Sequence, residues 1–241
     1  MRIAIVSDIH GNLEAFNQVL ADIDCSNVDE IICLGDNIGY GPDPDQVIER
    51  VQAHQIPSVI GNHELAVTHP KYLKWFNPVV RKSLQQSFPL LTDQSLEYIS
   101  KQKPYLVSHG CRYVHGFPPD SALIYMFQIS DHRSQGVFEK MEENICFVGH
   151  THMLEMISYS GQTVKSSLLN EGINRLEKET KYILNVGSVG QPRDGDNRAK
   201  YAIWDSSQHT LEIRFLAYDI GAVVDKMKKA GLPEEHARRL W

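Results

Sequence analysis

Aspartate, asparagine and histidine recur beside glycine at five places in the chain. The segments read Asp8-Ile9-His10-Gly11-Asn12, Gly35-Asp36-Asn37, Gly61-Asn62-His63-Glu64, His115-Gly116 and Gly149-His150-Thr151-His152. Carboxylate, imidazole and amide oxygen without thiolate suit Mn, Fe, Zn or Ni at a reacting centre and disfavour a structural zinc knot. In extended backbone, residues two apart point to the same side. Asp8 with His10, and His150 with His152, are therefore each expected to face one site. Asp8, His10, Asp36, Asn62, His115, His150 and His152 are more ligands than one catalytic ion with an open position takes. They suit two divalent ions sharing a carboxylate, roughly 3.5–4 Å apart.

Each segment follows a short apolar run, at residues 3–6, 31–34, 57–60, 113–114 and 145–148. Their length and β-branched content predict strands buried on both faces. Leu13, Phe16, Leu20 and Ile23 form a helical stripe behind an Asn12 cap, and Val47, Ile48 and Val51 mark a second helix. Strand and helix alternate there, which means βαβ units and a parallel sheet. Ligands of such sheets bind beyond the carboxyl ends of the strands, so the five ends should converge. In the later half, β-like pieces at 155–159, 163–166, 182–186, 200–204 and 210–216 follow one another without long helices, as in a second sheet with antiparallel pairs. Ile220, Val223, Val224 and Met227 predict a closing helix, and Pro233 opens a last short turn. The stretch 71–101 reads as helical, and its Tyr72, Trp75 and Phe76 are core or the wall of a cleft. The expected architecture is α/β, two packed sheets with helices outside. No linker or repeat divides residues 1–241, which read as one domain.

A chain of 241 residues, 42% hydrophobic and 22% charged, can bury a sizeable core. Lys plus Arg is 24 and Asp plus Glu is 30, so the formal charge is 24 − 30 = −6. That argues against stable nucleic-acid binding or an anionic membrane surface as partner. A small phosphorylated substrate is compatible where a local cation offsets the field. Cys25, Cys33, Cys111 and Cys146 show neither zinc nor redox spacing, which fits a reducing cytoplasm. No apolar run approaches the length of a membrane span.

Taken together and in this order, Asp8-x-His10, Gly35-Asp36, Gly61-Asn62-His63-Glu64, His115 and Gly149-His150-x-His152 resemble the calcineurin-like metallophosphoesterase superfamily. Residues 185–194, Asn-Val-Gly-Ser-Val-Gly-Gln-Pro-Arg-Asp, are similar to the glycine-rich strand and loop of its small bacterial and archaeal phosphodiesterase branch. The resemblance implies a four-layer α-β-β-α sandwich with two central mixed sheets. It implies one divalent ion, Mn foremost with Fe, Zn or Ni as alternatives, on Asp8, His10, Asp36 and His152. A second would sit on Asp36, Asn62, His115 and His150, with Asp36 bridging. His63 would face the substrate as a catalytic residue and not a ligand. The implied reaction is in-line hydrolysis of a phosphodiester, phosphomonoester or dinucleoside polyphosphate by hydroxide made at the ions.

Other readings stand beside these. His109 also precedes glycine after an apolar run; His115 is preferred because a loop follows it. Asn12 serves as helix cap and as a phosphate contact, and Arg193 as a second phosphate contact. His54, His69, His109, His132, His209 and His236 read as surface or satisfied structural residues. Asn37-Ile38-Gly39-Tyr40-Gly41 stands where Ser/Thr protein phosphatases continue into Asp-Arg-Gly, so the arginine that clamps a monoester is missing. A non-catalytic scaffold of the same fold, acting through protein partners, is the competing function. Relatives of that kind lose ligands, and all are present here.

Overall fold

The computed structural model describes every residue from Met1 to Trp241. Its strands are β1 (Arg2–Val6), β2 (Glu30–Cys33), β3 (Tyr105–Ser108), β4 (Cys111–Val114), β5 (Ile145–Val148), β6 (Leu154–Tyr159), β7 (Val164–Leu168), β8 (Gly172–Arg175), β9 (Lys181–Val186), β10 (Ala199–Asp205) and β11 (Thr210–Leu216). The helices are α1 (Leu13–Asp24), α2 (Pro44–Ala53), α3 (Asn62–Thr68), α4 (Pro78–Ser87), α5 (Asp93–Ser100), α6 (Asp131–Lys140), α7 (Ile220–Lys229) and α8 (Glu234–Arg238).

Two mixed sheets result, one ordered β2-β1-β10-β11-β8 and the other β3-β4-β5-β9-β6-β7. Pairing is parallel at β1–β2, β4–β5 and β5–β9 and antiparallel elsewhere. Period-two alternation makes the layers. Ile3 and Ile5 of β1 face Tyr113, Phe147 and Leu184 of the other sheet across a shared core. Ala4 and Val6 point the opposite way, onto Phe16, Val19 and Leu20 of α1. On the far side, Cys146 and Val148 pack with Phe138 of α6. The order is helices, sheet, sheet, helices, as the resemblance implies, and the central strands β1, β5, β9 and β10 are buried on both faces because both are covered.

Three expectations change in detail. Residues 57–60 form no strand; they make single bridges, Ser58 to Cys33 and Val59 to Lys103. Pro57 has no N–H to give, which cuts the ladder short. Two strands went unforeseen, β3 and β8, both at sheet edges where an apolar run is not required. The 71–101 stretch is helical in pieces, a 3₁₀ turn at Pro70–Trp75 and then α4 and α5. Pro78 opens α4, and Pro89 follows its end. No helix is long and apolar enough to cross a membrane.

Candidate metal centre

The centre lies where β1, β2, β4 and β5 end. Asp8, His10, Asp36, His150 and His152 all have φ between +53° and +69°. This left-handed region is uncommon for residues with a side chain, and Asp, Asn and His tolerate it best. The convergence of Asp8 with His10, and of His150 with His152, therefore comes from left-handed turns and not from extended alternation. Asp8 and His10 do share one group of ligands, but His150 and His152 fall in different groups, so that pairing is corrected along with the backbone.

Five of the ligands are held from behind. Asp8 Oδ2 accepts from Ser7 Oγ at 2.6 Å and from His150 N at 3.0 Å, leaving Oδ1 buried with no hydrogen bond. Asp36 Oδ1 accepts from His63 N at 2.9 Å, which leaves Oδ2 facing inward. His10 Nδ1 donates to Ile38 O at 2.9 Å, His115 Nδ1 to Leu34 O at 2.8 Å and His152 Nδ1 to Gln191 O at 2.5 Å. A carbonyl only accepts, so each Nδ1 carries a proton, and Nε2 is the atom left to face inward.

Those inward-facing atoms crowd together. His10 Nε2 and His152 Nε2 are 3.1 Å apart, and Asp8 Oδ1 lies 3.6 and 3.2 Å from them. His115 Nε2 is 3.0 Å from Asn62 Oδ1, 3.2 Å from His150 Nδ1 and 3.3 Å from Asp36 Oδ2. Around Asp8, where His10 and His152 both give their Nδ1 proton to a carbonyl, the inward acceptors cannot satisfy one another, and burying them so costs free energy unless a cation sits among them. Three groups of ligand atoms lie close enough to share a cation, Asp8-His10-His152, Asp36-His115-His150 and His10-Asp36-His63. Asp36 Oδ2 also lies 3.7 Å from His10 Nε2, which joins the groups through one carboxylate. His63 is near as well, its Nε2 3.8 Å from Asp36 Oδ2.

The electrostatics follow from this crowding. Burial pushes both aspartates up, but the surrounding imidazoles outweigh it: His152 and His10 hold Asp8 low, and His115 and His63 hold Asp36 low. Burial depresses His150 to about 3 and His152 to about 4. For His115, burial works downward but the Asp36 carboxylate prevails, raising it to about 9. A cation on His115 Nε2, proton or metal ion, is what these oxygens favour. Burial lowers His63, so it is neutral near pH 7.

A cavity of about 490 Å³ opens over the centre, lined by Asp36, Asn62, His63, His150 and His152 among others. Arg193 also lines it and donates through Nη2 to Tyr40 Oη at 3.2 Å. Asn12 does not line it. Its Oδ1 caps α1 by accepting from Ala15 N at 3.1 Å, and its Nδ2 donates to Gly190 O at 2.9 Å. With both ends committed, Asn12 is a structural cap, and the expected phosphate contact is withdrawn. His109 lies apart from the centre, in the turn between β3 and β4, 2.7 Å from Glu30 Oε2. His236, expected on the surface or satisfied, is buried with neither ring nitrogen bonded.

The chain matches the calcineurin-like phosphoesterase superfamily domain over residues 1–209. It belongs to that superfamily. Membership makes this chain a phosphoric ester hydrolase, and its Asp and His clusters suit divalent-metal binding. An uncharacterized protein of Methanocaldococcus jannaschii is 34% identical over 99% of this chain and 97% of its own. A metallophosphoesterase from Sphaerobacter thermophilus is 35% identical, with a TM-score of 0.84 over 100% of this chain and 98% of that one. A hypothetical protein from Pyrococcus horikoshii has the same fold at 18% identity, with a TM-score of 0.81 over 100% and 97%.

Glu64, next to His63, supports the centre in a way its residue type alone does not reveal. Its buried carboxylate accepts from the backbone N–H of Asp36 at 2.9 Å, Asn37 at 2.6 Å, Ile38 at 3.3 Å and Gly61 at 3.1 Å. Burial, and then the Asp36 charge, push it up to about 7, while the amides pull the other way. Tyr125 does the same; it stacks on His150 with ring centroids 3.7 Å apart. Neither carries a signal of its own in the sequence.

Proposed function

We propose that this phosphoesterase hydrolyses small phosphate esters at a dinuclear centre, one ion on Asp8, His10, Asp36 and His152 and the other on Asp36, Asn62, His115 and His150. The observation that carries this is Asp36 Oδ2, which faces both groups of ligands while Oδ1 is tied to the backbone. Divalent ions supply, when bound, Lewis acidity toward a phosphoryl oxygen and a more acidic water. Mn²⁺ is the expected ion, with Fe, Zn or Ni as alternatives, because several ligands are imidazoles and Mg²⁺ prefers oxygen.

The chain's own residues do the rest. Asp8 and Asp36 stay ionised and so hold positive charge in a buried place. The carbonyl-anchored imidazoles keep their Nε2 atoms aimed inward without rearrangement. His63 lines the cavity above the ligands, with room to hydrogen-bond a phosphoryl oxygen or to protonate the departing oxygen. Arg193 offers a planar cation to a substrate oxygen. Diesters, monoesters and dinucleoside polyphosphates all fit this chemistry.

The test is metal analysis followed by hydrolysis of bis(p-nitrophenyl) phosphate and p-nitrophenyl phosphate. The expected result is turnover with Mn²⁺, little with Mg²⁺ and none after exhaustive chelation. Turnover that survives chelation, or that Mg²⁺ alone supports equally, contradicts the reading.

A further inference from the structure

The cavity carries a second set of groups that the metal ligands do not require. Arg193 and Arg239 both line it, with Trp75 and Phe76, and Leu123 and Tyr125, as aromatic and apolar wall. Arg239 lies beyond residue 209, where the match to the superfamily domain ends.

The C-terminal segment is built to hold Arg239 there. Val223, Val224, Met227, Leu232, Ala237 and Leu240 form a buried cluster of their own. Lys226 Nζ ties α7 down through Glu14 at 2.7 Å and Asp43 at 2.9 Å. Gln86 Nε2 donates to Gly231 O at 3.1 Å, and the His236 ring packs edge-on to Tyr40 with centroids 4.7 Å apart. Tyr40 in turn packs against His10 and His63, so the segment continues directly into the centre.

Neither arginine is neutralised. Arg238 pairs with Glu234, but its neighbour Arg239 meets no carboxylate. Arg193 gives Nη2 only to the neutral Tyr40 Oη and Gln191 Oε1, and its Nε is buried without a partner. Arg239 is exposed at the cavity mouth and Arg193 half-buried deeper in its wall, so the two offer an unpaired fork on each side of one opening, suited to an anion that pairs in fork geometry. The centre already provides cations for the phosphate being cleaved, so this anion is a different one. Trp75 is 64% exposed, and its open indole suits a flat apolar group at the same end.

We propose that Arg239, together with Arg193, binds a second phosphate joined to the scissile one, so that the substrate class is a nucleoside diphosphate or its close relatives. The proposal rests on the phosphoesterase reading above and adds the substrate class to it. In the reaction, the oxygen of water bonds to the terminal phosphorus and the bond from that phosphorus to the bridging oxygen breaks. The bridging oxygen leaves with the inner phosphate, and the proton of water passes to solvent. Water is the only co-reactant, and ADP gives AMP and inorganic phosphate.

The experiment uses full-length, Mn²⁺-loaded protein with ADP and bis(p-nitrophenyl) phosphate as substrates. Binding of AMP and of α,β-methylene-ADP, which cannot be cut between its phosphates, is measured by calorimetry. Wild type should bind α,β-methylene-ADP more tightly than AMP. Arg239→Ala should erase that preference and lower the kcat/KM ratio of ADP to bis(p-nitrophenyl) phosphate by about tenfold or more, mostly through KM. Arg239→Lys, which keeps the charge and loses the fork, should fall between. An equal loss on both substrates, an unchanged ratio, or wild type that hydrolyses bis(p-nitrophenyl) phosphate but neither binds α,β-methylene-ADP nor hydrolyses ADP overturns the proposal and leaves the phosphoesterase reading intact. Wild type that hydrolyses neither ester overturns both.

Discussion

Asp36 and His63 lie side by side in the centre yet should respond to substitution in opposite ways. Asp36→Asn removes charge from the one oxygen that faces both groups of ligands. Both ions should be weakened, and activity should fall by more than the roughly 10–100-fold typical of an outer-shell change. His10→Ala should mainly empty one position, and metal analysis of the two variants separates these outcomes. His63→Gln should keep both ions while kcat falls about 10²-fold or more, the range for a lost general acid or phosphoryl donor. A leaving-group series on that variant reads the role: a deficit that shrinks with better leaving groups marks proton donation, and a uniform one marks a hydrogen bond to the phosphoryl group. Loss of an ion in His63→Gln would make it a ligand, which its 3.8 Å approach to Asp36 allows to be tested.

Among the elements, the turns that end the strands matter most. Gly39 has φ +85°, and a Cβ there would overlap His63 Nδ1. Gly39→Ala should therefore push His63 out of place and cost about 10²-fold in kcat, the price of a misplacement near 1 Å, with metal content preserved. A kcat unchanged in Gly39→Ala would show that His63 does not need this support. The strands behind these turns were legible because apolar runs at 3–6 and 145–148 have only one economical place, between two covered faces. The turns were legible as places but not as shapes, since nothing in Asp8-Ile9-His10 announces φ of +53° at both ends. Strands β3 and β8 were not legible at all, because edge strands are chosen by their neighbours. Asn12 shows the remaining limit: its residue type fits both a cap and a phosphate contact, and only the Gly190 carbonyl on its amide decides between them.

Across the whole molecule, the two sheets meet over one shared core, and the centre sits at the end of that core where four strands stop. Phe147 is fully buried there between Tyr113 and Trp204. Phe147→Ala should cost about 3–5 kcal/mol of stability, read as a lowered denaturation midpoint, because the cavity it leaves is only partly refilled. A loss under about 1 kcal/mol would mean that the sheets do not pack through this residue. Two divalent ions against two aspartates, as proposed, would leave the centre locally positive and so reconcile a net charge of −6 with an anionic substrate. That balance depends on both ions being bound. Wild-type protein loaded with Mn²⁺, freed of excess metal and measured by elemental analysis should hold two ions per chain and hydrolyse bis(p-nitrophenyl) phosphate. Full activity with one ion per chain or none would contradict the account.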